Sequence, residues 1–584
     1  MAAVPDAGLR AEGEGRWADA VEIYKAALKR DPKQVELWER IADIRATKLN
    51  SPARAAEALR EAVSLTPDDA RLHHKLAQAY SAADDPAQAF DAIQRALEIE
   101  PKNVVFLRMP GELAVWLGDH AVATDSYERL LALAPHDGDA ELALARVMAW
   151  RGNTDEAARR YAAYLDTHPQ ARMATLEFAR VMTERGDYAR AMEILEDYRG
   201  RFGEDADYTR QEARILAWAQ RPRAAIAIVE PLLHANSRDY DLNYTHTLAL
   251  NADQQPREAL FSLGALRELG PDRQETRDIE RFVRTPQRSF VTASYAYRTD
   301  SDHVTIQPLR FEGAYRLNPE TALLAGVGYA SLSAPVGSGL EHKNGGSGAH
   351  YVREWVGVQH VYSPIWAVEG RLGAGQASGA GSHNLYELMF VTRPTDELRL
   401  RFGGRQDIHD VSPRAVSLGI ERRGTQMDAQ WTPDLRYTIV GMASTDRFSD
   451  GNDRWEWVLA PRRAVVRNQS LNLDIGVSAQ QYGFDHNPGH GYYAPHLYQR
   501  YAVTAFGYWK ILDDIGISTT LSLGPYKDNT MGGFRNGGDL VVEGFFGIYR
   551  DWYLNVRAGL SHYGGGFSRA YESRAFHIAL TRRF

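Results

Sequence analysis

The sequence contains no cysteine. Disulfides and thiolate metal centres are excluded, and the chain can cross an oxidising compartment unfolded without mispairing. It also lacks any run near the ~18 to 20 apolar residues that a membrane-crossing helix needs. A membrane role would have to come from a β-barrel, the other arrangement that satisfies every backbone group in lipid. Positive charge is not in excess: 68 Lys and Arg stand against 76 Asp and Glu, a formal net charge of -8. No global basic field recruits nucleic acid, and none is expected as a partner. The opening Met1-Ala2-Ala3-Val4-Pro5 has no basic segment followed by an apolar one, so the expectation is a signal peptide already removed, with Met1 in its place.

Enzyme chemistry is equally scarce. Gly345-Gly346 has no Lys-Ser or Lys-Thr after it, as a phosphate-binding loop would. The 18 histidines contain no HExxH pair. His486, His490 and His496 share one predicted loop, where a surface metal is the minor alternative. Carboxylates are plentiful, but no pair is set around a defined cleft. The expectation is no catalytic residue, no cofactor and no metal.

What is present in the first half is repetition. The quartet Ala20, Tyr24, Ala27, Pro32 returns as Ala55, Leu59, Ala62, Pro67, then as Ala89, Ile93, Ala96, Pro101 and as Ala123, Tyr127, Leu130, Pro135. It continues through Ala157, Tyr161, Tyr164, Pro169, loosens at Ala191, Leu195, Tyr198 where Gly203 replaces the proline, and ends at Ala259, Leu263, Leu266, Pro271. The spacing is about 34 residues. A small alanine lets two helices approach, the large residue four later fills the groove, and the proline stops the helix for want of an N–H. Gly118, Gly152 and Gly186 mark turns between helices. The pattern resembles the tetratricopeptide-repeat (TPR) family, about eight repeats over residues 1–271. Residues 272–288 read as a charged capping helix and linker, which closes the last apolar face of a solenoid.

Such arrays bind on a concave face built from the first helix of each hairpin. Trp116, Trp150 and Trp218 hold equivalent positions near the ends of those helices, with Glu184 in the intervening slot. Arg108, Arg146, Arg180, Arg210 and Arg214 also fall on positions expected to face the concavity. Indoles one repeat apart can stack on sugar rings; the blander reading is packing under the next turn, and a protein ligand is a third.

Near Phe290 the period changes to two, and the composition shifts to Gly, Tyr, Trp and Arg. Residues 289–584 divide into about sixteen strands, the eighth of them over 416–431. Short connections such as 363–364, 394–396, 432–434 and 550–551 alternate with longer, glycine-richer ones: 335–348, 378–383, 409–415, 449–452, 484–498, 528–537 and 564–570. That alternation is the mark of an outer-membrane barrel; a soluble sandwich has no reason for it. Trp366, Trp431, Tyr437, Trp509, Tyr549 and Trp552 lie beside short turns, as interfacial girdles require.

Strand alternation also separates lumen from lipid. Arg310, Glu312 and Arg316 oppose Phe311, Tyr315 and Leu317; Glu369 and Arg371 oppose Trp366, Val368 and Leu372; Arg399, Arg401 and Arg405 oppose Leu398, Leu400 and Phe402. Asp474, Glu543, Asn555 and Arg557 join the charged face by the same rule. Charges on the lipid side would cost about 2 to 4 kcal/mol each at midplane, so the charged face is the expected pore lining. Cross-strand Arg–Glu pairs that merely stiffen the wall are the competing reading. Strand eight stays unassigned, because Ile420 and Arg422 share a face.

The fused plan resembles the poly-β-1,6-N-acetylglucosamine export porins, with the Pel and cellulose exporters as relatives. Asp446-Arg447-Phe448-Ser449-Asp450-Gly451-Asn452 and Gly491-Tyr492-Tyr493-Ala494-Pro495 are similar to segments of that group. The resemblance implies an outer-membrane porin that exports an exopolysaccharide passively, with periplasmic TPRs holding the polymer or a modifying enzyme. The inner-membrane synthase complex would supply the push, and Phe584 would be read by the barrel-assembly machinery. Two other functions fit the same residues: a surface receptor of the phage-adsorption type with a closed barrel, and a periplasmic assembly scaffold anchored by the barrel.

Overall fold

The computed structural model describes residues 4–563 and 571–584. It divides into two compact units, Met1–Val181 and Met182–Phe584.

Within the first unit the chain runs as antiparallel helix hairpins, among them Val35–Thr47 with Pro52–Leu65, Ala70–Ala82 with Pro86–Ile99, Val104–Trp116 with His120–Leu133 and Gly138–Trp150 with Thr154–Thr167. The repeated alanines Ala20, Ala55, Ala89, Ala123 and Ala157 are fully buried, as are Tyr24, Ile93 and Tyr161 four residues after their alanines. Most second helices begin on their own cap. Asp85, Asp119 and Asn153 accept the N–H of Gln88, Val122 and Glu156, satisfying donors the helix leaves open.

The second unit contains the remaining hairpins and a closed barrel. Ahead of the barrel its helices are Tyr188–Phe202, Ala206–Trp218, Pro222–Ala235, Tyr240–Ala252, Pro256–Leu269 and the last of the array, Gln274–Arg284. That last helix seats Ile279 and Val283 against Leu248, Leu263 and Leu266, giving the terminal hairpin the cover a solenoid end needs.

The strands are β1 (Phe290–Asp300), β2 (Thr305–Asn318), β3 (Thr321–Ser333), β4 (Gly348–Val361), β5 (Trp366–Ala377), β6 (Gly381–Thr392), β7 (Leu398–Ile408) and β8 (Glu421–Trp431). They continue as β9 (Tyr437–Phe448), β10 (Asp453–Arg467), β11 (Leu471–Phe484), β12 (Tyr498–Leu512), β13 (Ile515–Asp528), β14 (Arg535–Phe546), β15 (Trp552–Ser561) and β16 (Ser573–Arg583). Each pairs antiparallel with its neighbours in sequence, and β1 pairs β16 to close the ring. Closure removes every sheet edge, and sixteen strands enclose more space than side chains fill.

The eighth strand corrects the sequence expectation. It begins at Glu421, and residues Pro413–Leu418 are an α-helix instead. Ile420 therefore stands outside the strand, and the register places Arg422 with Gly424, Gln426 and Asp428 on the inner face. Period-two alternation across a short amphipathic helix had mimicked strand. Ser412 and Pro413 were the overlooked signal: a cap followed by proline at the first helical position. Ser412 Oγ accepts the Ala415 N–H at 3.1 Å, and Gly419 ends the turn at φ 69°.

The outward face is apolar over most of its area, with Glu354 an exception on β4 between Val352 and Val356. Phe311, Tyr315, Leu317, Val356, Leu372, Val477 and Val503 are all more than half exposed. Trp366, Trp431, Tyr437, Trp509 and Trp552 are exposed beside the short turns. Tyr549 departs from that belt: it sits in the turn after β14 and meets Phe282 edge-on, centroids 6.5 Å apart. The expected connection 564–570 lies outside the described residues.

Candidate functional site

The strand register puts all twelve charged or amide residues singled out in the barrel on the face opposite the apolar band. Arg310 pairs with Gly328, and Glu312 with Gly326. Glu369 and Arg371 pair with Gln359 and Gly357. Arg399, Arg401 and Arg405 face Gln430, Asp428 and Gly424, and Glu543 faces Arg557. Asp474 and Asn555 share this side, and Arg316 donates to the Pro286 carbonyl at 3.0 Å. Several are tied to the wall. Arg371 reaches Glu369 at 2.7 Å, Arg401 reaches Glu387 at 3.4 Å, and Arg467 reaches Asp474 at 2.5 Å.

At the mouth on the long-loop side, three connections fold inward and meet. Val416 of the 413–418 helix packs with Leu340 of the 334–347 loop against Ile306, Leu332, Tyr351 and Ala377 on the inner face of β2 to β5. On its other side Ala415 joins Phe448, Phe484 and Tyr492, residues of β9, β11 and the 485–497 loop. The assembly thus bridges opposite walls. Polar contacts fix it: Ser412 Oγ donates to the Gly491 carbonyl at 2.5 Å, Arg414 N–H to the Leu340 carbonyl at 3.0 Å, and Lys343 N–H to Ser417 Oγ at 2.9 Å. Gly491 is required there. Its φ is 86°, and a Cβ would lie 2.6 Å from both Arg414 and Ser412 side chains.

His409 lies within this cap, its ring edge-on to Phe448 (5.0 Å) and Tyr492 (5.2 Å). Burial holds the imidazole neutral, pushing its pKa down to about 3, with Arg422 and Arg454 adding to the shift and Asp450 opposing it. A base whose folded pKa is depressed contributes stability above its unfolded value near 6.5, and that stability is lost as pH falls towards 3. Amide exchange in residues 410–420 is expected to quicken as pH drops from 7 to 5, after correction for intrinsic rates. His409→Phe should flatten the dependence.

At the short-turn end, the helices after Met182 rest on the turns. Helix Pro222–Ala235 has no cap of its own, because Arg221 occupies that position. The turn carboxylate Asp396 supplies one, accepting from the Arg223 N–H at 3.1 Å and the Ala224 N–H at 3.2 Å. Burial lifts the Asp396 carboxyl above its ordinary range, opposed by those two N–H bonds and the Arg223 charge. The Arg223 side chain then donates to Asp253 at 3.0 Å and to the carbonyls of Pro394, Pro364 and Arg393 at 3.0, 3.2 and 2.7 Å. Arg221 donates to the Thr432 carbonyl at 2.6 Å, Arg257 pairs with Glu320 at 2.9 Å, and Arg288 with Asp551 at 2.8 Å. Between these contacts a cavity of about 400 Å³ remains, bordered by Arg399, Arg436 and Arg467.

The helical site residues are placed differently from one another. Trp116, Trp150 and Trp218 end their helices and keep 50%, 49% and 38% exposure, enough ring to meet a ligand. Trp150 stacks on His120 at 5.8 Å. Arg108 and Arg210 bond the capping aspartates of the next hairpins, Asp137 at 2.5 Å and Asp239 at 2.6 Å. Arg146 reaches Glu177 at 2.9 Å. Those three join successive repeats. Arg180 and Arg214 lie on the first helices Arg172–Arg185 and Ala206–Trp218.

Two family models, both described as tetratricopeptide repeat, match residues 6–70, 45–104 and 150–206, and residues 117–177. The residues they match are TPR hairpins. No curated protein matches. Among solved structures, a "Bacterial polysaccharide outer membrane secretin" aligns at 14% identity and TM-score 0.44, over 51% of this chain and 99% of that one. MamA aligns at 24% identity and TM-score 0.26, covering 28% and 95%. YrrB, described as "a TPR protein with an unusual peptide-binding site", aligns at 19% and 0.30, covering 33% and 98%.

Proposed function

We propose that the chain is an outer-membrane export channel: the barrel crosses lipid, and an exopolysaccharide leaves through it without catalysis by this protein. The observation that carries the reading is the closed sixteen-strand ring with an apolar outside and a charged inside. An apolar belt of that kind has no use in water, and a charged interior has none without hydration or a polar passenger. The TPR hairpins would lie in the periplasm and gather the chain, or the enzyme that modifies it. The resemblance to poly-N-acetylglucosamine exporters supports a hexosamine backbone for the polymer. Passage is passive, driven by synthesis at the inner membrane.

Deleting the gene is expected to abolish surface polymer while synthesis continues; normal secreted polymer in the deletion strain rejects the reading. For the TPR part, Trp116→Ala with Trp150→Ala is expected to weaken oligosaccharide binding about tenfold, since base-free ring stacking contributes roughly 0.5 to 1.5 kcal/mol per ring beyond buried area. Titration of the full-length double variant in detergent measures it, and unchanged affinity discards sugar stacking in favour of a protein ligand.

One observation favours a second reading. The cap that bridges the long-loop mouth suits a surface receptor whose barrel stays shut. Planar-bilayer recordings of the protein with the cap disrupted separate the two.

A further inference from the structure

Charge inside the barrel is uneven. The inward carboxylates Glu387, Asp407, Asp446, Glu456 and Asp474 each have an arginine within 4.0 Å. The reverse does not hold. Arg310, Arg399, Arg405 and Arg557 have neither a carboxylate within 4.0 Å nor a hydrogen-bond partner among the described residues. On the acidic side, Glu312 is likewise unmatched, and Glu543, Asp300 and Asp528 have only neutral partners, the Asn555 amide at 2.9 Å, the Tyr571 hydroxyl at 3.1 Å and the Thr530 hydroxyl at 2.6 Å. Arg298 and Arg316, held only by the Tyr571 hydroxyl and the Pro286 carbonyl, keep the unmatched cations in excess. The unmatched cations sit on β2, β7 and β15, spread around the wall rather than gathered at one point. A wall built only for stiffness would neutralise each guanidinium, as Arg353–Asp407 does at 2.8 Å. Left unpaired in a tube with low-dielectric walls, they sum to a positive field that the chain as a whole, at -8, does not have.

We infer that the passenger is an acidic polysaccharide, carrying carboxylate or other anionic groups along its backbone. This rests on the export reading above and adds to the hexosamine backbone drawn there from resemblance that the polymer bears anionic groups. Dispersed cations attract such a chain without trapping it, since each contact is single and hydrated while the next lies further along the wall. Favourable entry with easy release is what conduction demands. A second observation agrees. Asp410, on the loop that forms the cap, attracts Arg310, Arg353 and Arg422, as the wall carboxylates Glu312 and Asp407 also attract Arg310. A loop carboxylate thus occupies the field an anionic chain would enter, and the passing polymer would replace it.

The test uses full-length protein in planar bilayers under a KCl gradient, alone and with the mouth opened by Val416→Asp. The pore is expected to prefer chloride over potassium by roughly threefold or more, a field effect that Arg310→Gln, Arg405→Gln and Arg557→Gln together move towards no preference. Oligogalacturonate added on the short-turn side should block the current at lower concentration than neutral N-acetylchitooligosaccharides or cationic chitosan oligomers, with relief at high salt. That comparison needs no wall variant, so a misfolded triple variant leaves it intact. A conducting pore that prefers cations, or that chitosan oligomers block best, overturns this inference and leaves export standing. No current through either protein overturns both.

Discussion

Arg223→Ala is expected to release the helices after Met182 from the barrel turns, at a cost of roughly 3 to 5 kcal/mol, the scale for removing one partner of a desolvated charged network. One guanidinium serves four acceptors: Asp253 and the carbonyls of Pro364, Arg393 and Pro394. Truncation leaves all four without that donor and leaves Asp253, only 5% exposed at its side chain, beside nothing positive from Arg223. Hydrogen exchange read separately for residues 222–235 and 393–397 should accelerate in both segments. Strand amides in β12 and β13, held by their own ladder, should not change. Asp396→Ala is the companion variant. It removes the helix cap but not the side-chain contacts, so its effect should be smaller, about 1 kcal/mol and confined to the first turn of the 222–235 helix. If Arg223→Ala leaves both segments protected, the docking is maintained by Arg221, Arg257 and Arg288 without it.

The second large effect is expected from Val416→Asp. Val416 is fully buried, its neighbours are Ile306, Leu332, Leu340 and Tyr351, and a carboxylate placed there costs several kcal/mol unless the helix leaves its seat. Because the 413–418 helix bridges two walls through separate apolar clusters, losing one side frees the other. Single-channel conductance should rise from small or flickering events to sustained open steps. Val416→Thr keeps the volume and adds only a hydroxyl, so it should behave more like the parent. Equal conductance in the Asp variant and the parent would mean that the cap does not obstruct the path.

Much of this architecture is legible in the sequence. The buried Ala–large pairs such as Ala123 with Tyr127 repeat at hairpin spacing because each hairpin must solve the same close-approach problem. The strand alternation was legible because one face of each strand carries mostly apolar side chains and the other mostly polar ones. Residues such as Arg310, Glu369 and Arg401 could be assigned a face by counting in twos. The arginines of the helices were less readable. Arg108 and Arg210 look like ligands for an acidic or sugar group, yet they bond the next repeat's capping aspartates. Nothing in their own repeat announces a partner about thirty residues away, although Asp137 and Asp239 are recognisable caps.

Alone, the order of residues determined the two periodicities, their point of exchange near Phe290, and the sorting of polar from apolar side chains, because these follow from 3.6- and 2.0-residue geometry along one segment. Tertiary structure alone decided what bridges the mouth, what holds the helices to the turns, and which wall charges find partners. Each of those depends on groups that distant stretches of chain bring within a few ångströms, as Asp396 meets the 222–235 helix and Val416 meets Ile306 and Tyr351. Local pattern carries no record of such meetings, since a hydrogen bond or an ion pair depends on distance in space and not on separation along the chain.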